Sequence, residues 1–170
     1  MQFELLVLRL VHVLGGIFWV GSAVFTTFFL IPALAKAGGP VAGQVMSGMQ
    51  QRRLYLILPI VAGLTILSGL RLWFILSGGN PTHYFQHRSG HVYAVSGLLA
   101  IIAFVLSLAV ARPAAVRMGA LAQAKASDET SRHLIAAEVA KLQRRATLSG
   151  MVAVVLLLIA AAGMAIARYM

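Results

Sequence analysis

An all-α fold, an integral membrane four-helix bundle, is what this sequence predicts, and three observations predict it. The 170 residues are 60% hydrophobic and only 11% charged, with a mean hydropathy of +0.89. The apolar residues gather in four runs, about 5–34, 54–76, 91–111 and 148–167. Each reaches the ~20 helical residues that a hydrocarbon core requires. The Lys and Arg residues fall unevenly between the connections, as they do in multi-pass membrane proteins. A backbone in lipid finds no water, so each crossing must be helical. The runs are solidly apolar without period-two alternation, which excludes a β-barrel.

The first run is too long for a cleaved signal peptide and carries Glu4 and Arg9 near its start, so it is expected to remain as the first span. Gly38, Gly39 and Pro40 break the chain after it, and residues 41–53 predict a short amphipathic helix leading into the second span. Pro59 removes a backbone donor early in that span and predicts a bend. In the connection 78–90, Asn80 and Pro81 read as an N-cap followed by a first-turn proline. They predict a short interfacial helix over 81–88, anchored by Tyr84 and Phe85 and ended by Gly90. Ser89 then caps the third span and leaves His91 in its first turn. Residues 114–126 are rich in helix formers. Ser127 and Asp128 are N-cap types, and Leu134, Ile135, Val139 and Leu142 recur at helical spacing. Helices 3 and 4 are therefore expected to extend as a hairpin into the cytoplasm, turning near 126–129, with a kink at Pro113. The whole chain, 1–170, reads as one domain.

Orientation follows from charge. Lys36, Arg52, Arg53, Arg112, Arg117, Lys125, Arg132, Lys141, Arg144 and Arg145 lie on one side; Arg9, Arg71, Arg88 and Arg168 lie on the other. The ten belong in the cytoplasm. Both termini then face outward across a bacterial-type inner (cytoplasmic) membrane. The net charge of +10 is read as attraction to anionic lipid rather than to nucleic acid, because the charges flank apolar spans. The absence of cysteine excludes disulfides, thiolate metal sites and covalent haem attachment.

His12 and Arg71 sit at similar depth in the outer half of the membrane, and Arg9 is one turn from His12 on the same face. Arginine inside a span costs roughly 2.5–3.5 kcal/mol and normally marks a site; the plain alternative is snorkelling to the headgroups. His83 and His87 share a face of the short connecting helix at metal-binding spacing. His91 is the partner expected for His12, because haem b held between helices needs an axial ligand pair with cations near its propionates. Arg9 and Arg71 supply those cations. Met164 and Met170, near the outer end of the fourth span, are soft ligands suited to copper but more often fill gaps in a core. Carboxylates number four, Glu4, Asp128, Glu129 and Glu138, which argues against carboxylate acid–base pairs and Ca²⁺ or Mg²⁺ sites. Small residues, among them Gly15, Gly69, Ser96 and Gly163, mark close helix approaches. They leave open a cofactor-free accessory subunit of a larger membrane complex, or a homo-oligomer.

Leu10-Val11-His12 through Phe18-Trp19-Val20-Gly21 resembles the first-helix pattern of the CopD-type copper-resistance membrane family, where a histidine precedes a tryptophan by seven residues and a glycine follows. Thr65-Ile66-Leu67-Ser68-Gly69-Leu70 resembles that family's second-helix ending. The same histidine-to-tryptophan spacing is similar to the HemJ-type protoporphyrinogen oxidases, small four-helix membrane proteins that bind haem b. The chain departs from them in lacking a Pro-Arg pair soon after the tryptophan; Pro32 is followed by Ala33. The resemblance implies a small membrane protein with haem or copper at His12.

Overall fold

The computed structural model describes residues 2–80, 82, 85–123 and 128–170. Every regular element among them is helical. Four helical stretches, Gln2–Ala37, Leu54–Leu76, Arg88–Leu121 and Glu129–Tyr169, are long and apolar enough to cross a membrane.

The first stretch is α1 (Gln2–Phe25), a π-helical turn (Thr26–Leu30) and α2 (Ile31–Ala37). Gly38, at φ +89°, ends it in a conformation that side chains resist. The short helix expected over 41–53 is α3 (Gly39–Gln51), with its proline in the first turn. Arg53 takes a left-handed conformation, and its carbonyl accepts the N–H groups of Leu56 and Ile57, which starts α4 (Leu54–Leu76). The third stretch is α5 (Arg88–Leu106), a second π turn (Ser107–Ala111) and α6 (Arg112–Gln123). The fourth is α7 (Glu129–Ile166), 38 residues, or about 57 Å at 1.5 Å per residue. That is nearly twice a hydrocarbon core. Asp128 caps it, accepting the Ser131 N–H at 2.7 Å.

Each π turn precedes a proline by two residues. Proline has no N–H, and its ring collides with the carbonyl four residues back, here Phe28 for Pro32 and Ala109 for Pro113. Both carbonyls lie inside the widened turns, and the residue before each proline reaches five back instead of four, Ile31 to Thr26 and Arg112 to Ser107. The bend expected at Pro113 thus takes the form of a changed hydrogen-bond register.

The start of the third span needs correction. The helix begins at Arg88, with no side-chain cap and with His87 extended before it. The His87 carbonyl accepts the N–H groups of Gly90 and His91, so Gly90 lies inside the first turn instead of ending a helix, and Ser89 is not the cap. Of the expected connecting helix over 81–88, Pro81, His83 and Tyr84 lie outside the described residues, and residues 85–87 form a turn instead of helix. Of the expected hairpin turn at 126–129, residues 126 and 127 lie outside the described residues.

α1 packs along α4, and α5 along α7; smaller seams join α1 to α7 and α4 to α5. α6 lies against the N-terminal part of α7, where Arg117 pairs with Glu138. At the centre Trp19 meets Phe104 edge-on, centroids 6.1 Å apart. Around them the core is mostly alanine: Ala62, Ala100, Ala103, Ala153 and Ala160, with Leu157. Larger apolar side chains point outward, Leu67 and Ile17 being about two-thirds exposed. Water would penalise that arrangement. Lipid-embedded helices adopt it, because they associate through small faces. A Cβ on Gly163 would overlap Ser96 Oγ, which shows how closely α5 and α7 approach.

Candidate functional site

His12 stands half-buried on the face of α1 that packs on α4. Its Nδ1 is 2.7 Å from the carbonyl oxygen of Thr65. A carbonyl only accepts, so Nδ1 carries the proton, and in the neutral ring Nε2 keeps its lone pair. The sequence of α4 makes the receptor. Gly69 lies one turn from Thr65 and leaves a gap that the imidazole fills; a Cβ there would be 2.7 Å from Cε1 and 2.9 Å from Nδ1. One turn along α1, Gly15 makes the same approach to the Thr65 hydroxyl. Polar groups beneath are satisfied within the helix: Thr65 Oγ1 donates to Val61 O at 2.8 Å, and Ser68 Oγ to Leu64 O at 2.7 Å and Thr65 O at 3.0 Å.

The cations expected beside His12 are placed differently from one another. Arg71 donates to Glu4 Oε1 from Nε at 3.1 Å and from Nη2 at 2.8 Å, and its guanidinium lies 6.0 Å from the Phe74 ring centroid. Both members of the pair are about half exposed. Arg9 is exposed and makes no hydrogen bond or ion pair with another described residue.

His91 is exposed in the first turn of α5, its ring 5.5 Å from that of Phe85. Phe85 in turn meets Trp73 edge-on at 6.0 Å. The indole N–H of Trp73 is buried with no acceptor among the described residues. His87 is exposed just before α5, and His83 lies outside the described residues. Among the described residues no group of three or more His, Asp or Glu side chains is placed to hold a metal. His12 and His91 are not hydrogen-bond or ring partners; the structure gathers Thr65, Ser68 and Gly69 around the first and Phe85 against the second.

Sequence reasoning missed the Glu4–Arg71 pair and the Thr65–Gly69 receptor. The signal for the first was present: Glu4 is the one carboxylate of the first 127 residues, and α1 and α4 run antiparallel with Arg71 toward the same end. Comparison with protein-family models, characterised proteins and solved structures gave no match.

Proposed function

We propose that this chain is a four-span protein of a bacterial-type cytoplasmic membrane, both termini outside, in which His12 would hold haem b toward the outer face, copper being the alternative metal. It would serve redox transfer or cofactor handling. The charge asymmetry and the four apolar helices support the topology. The length of α7, its Asp128 cap and the Arg117–Glu138 pair support a cytoplasmic hairpin formed by helices 3 and 4.

One observation carries the cofactor reading. The Nδ1–H of His12 is fixed on a backbone carbonyl, which is the outer-sphere bond that orients metal-ligating imidazoles and leaves Nε2 to coordinate. The donor set fits a metalloporphyrin better than a bare ion, because among the described residues no group of three or more His, Asp or Glu side chains is placed to hold a metal, while cations do lie toward that end. Arg9 is uncommitted, and Arg71 can exchange Glu4 for a propionate. The orphaned Trp73 N–H is a further donor at the outer end. His91, accessible in its helix's first turn, is the candidate second ligand, and His87 with His83 the candidate surface metal pair. Bound haem supplies one-electron redox chemistry; the chain supplies orientation and charge. Detergent-purified protein is expected to show a Soret band, lost in His12→Ala while the protein stays folded. Wild-type protein with neither a Soret band nor bound copper overturns the reading.

A second reading is a cofactor-free accessory subunit of a larger membrane complex. The fit of His12 against Gly69 favours it, since the imidazole already serves as a tie between α1 and α4. Full function of His12→Ala together with co-purifying membrane partners decides for it.

A further inference from the structure

We propose that the basic end of the bundle carries a site for one anionic glycerophospholipid, its headgroup at Arg145 and Arg117 and an acyl chain along α5. The site rests on the four-span reading and is independent of haem or copper. Two clefts meet there. The first, about 260 Å³, is walled by Ala109, Pro113 and Leu142 and rimmed by Arg117 and Arg145. The second, about 320 Å³, is lined by Ile101, Ile102, Val105, Leu106 and Ala109. Ala109 belongs to both, so an apolar trough runs into a basic mouth. From Ile101 to Ala109 the trough extends about 12 Å along the helix. The junction falls in the second π turn, where Ala109 puts a small side chain between the two clefts.

Charge selects the occupant. Arg145 has no carboxylate partner among the described residues. Arg117 has one, Glu138, and remains 65% exposed. Two cations against one anion leave a single positive charge, which matches the single negative charge of a phosphodiester headgroup. A zwitterionic lipid leaves that charge uncompensated and brings a cation of its own. The positive-inside orientation puts the arginines at the cytoplasmic headgroup level, where basic pockets between helices hold anionic lipids, and the trough at acyl depth.

The test is native mass spectrometry of the full chain in mild detergent, titrated with phosphatidylglycerol, phosphatidylcholine or glycerol phosphate, after membrane fractionation. One retained phosphatidylglycerol per chain is expected, in preference to phosphatidylcholine. Retention should weaken about fivefold in Arg145→Gln, and more in the double variant with Arg117→Gln. Ala109→Leu, which fills the junction of the clefts without touching charge, should also reduce retention. Arg52→Gln, a basic residue at the same end on another element, should leave it unchanged. Equal retention of both lipids, equal loss in Arg52→Gln, or glycerol phosphate binding as well as the lipid overturns the site in an inserted protein. A chain recovered in the soluble fraction overturns the four-span reading and the lipid site together.

Discussion

Replacing Gly69 with alanine places a methyl group 2.7 Å from His12 Cε1 and 2.9 Å from Nδ1. Carbon atoms rest at ~3.5 Å or more, so the ring must retreat by about 0.8 Å. Directed away from α4, that retreat stretches the 2.7 Å bond to Thr65 O to about 3.5 Å, outside hydrogen-bonding range. Interhelical hydrogen bonds in membranes average about 0.6 kcal/mol, and forcing extra volume into a packed seam costs about 1–3 kcal/mol. Alanine's helix preference over glycine returns about 0.8–1 kcal/mol. The net expectation is a destabilisation of about 1–2 kcal/mol. In a His12→Ala background the clash and the bond are both gone, so Gly69→Ala becomes neutral or slightly stabilising, with a coupling of about 2 kcal/mol between the positions. Reversible unfolding of the four proteins in mixed micelles, titrated with a denaturing detergent, measures the cycle. An equal cost in both backgrounds would refute the placement of the imidazole against Gly69.

Gly163→Ala should destabilise the α5–α7 seam by about 1–3 kcal/mol, and Ser96→Ala should restore most of it, because only the Ser96 hydroxyl is overlapped; thermal unfolding in detergent of the single and double variants reads this. Glu4→Gln removes a half-exposed ion pair and should cost less than ~1 kcal/mol, the difference vanishing in high salt; unfolding at low and high ionic strength checks it. The Ser131 hydroxyl and then its N–H hold the Asp128 carboxyl below its ordinary range. A lowered native pKa means the cap's contribution is complete above that range and is lost as pH falls through it. Hydrogen-exchange protection of the first turn of α7 should therefore fall with acidification in the wild type and stay level in Asp128→Asn, whose cap does not titrate.

The four long apolar helices were legible because length and composition set them directly. The second is found at Leu54–Leu76, the expected limits, since Arg53 and Ser77 bound a continuous apolar run. The Asp128 cap was legible for the same local reason. What sequence does not encode locally was missed. The start of α5 depends on the His87 carbonyl collecting two N–H groups, which overrides the turn chemistry of Ser89 and Gly90. The π turns are a choice of hydrogen-bond register, and the prolines advertise only that something must give. The place of His12 early in the first helix followed from residue counting, but its receptor required knowing that α1 lies on α4. Arg71 read as a free cation because its pairing with Glu4, 67 positions away, also required setting α1 against α4.

The two widened turns let the first and third helical stretches keep their facing through a change the second cannot accept. Removing one residue from Leu54–Leu76 would swing every later side chain by about 100° around the axis, exchanging outward-facing leucines for the interior Thr65 and Ser68. Removing one residue within Thr26–Leu30 or Ser107–Ala111 would instead let a five-back register relax to four and keep the azimuth on either side, at the cost of returning the collision between the following proline ring and the carbonyl four residues back. At those two levels the bundle can lose one residue with its inner and outer faces still in phase.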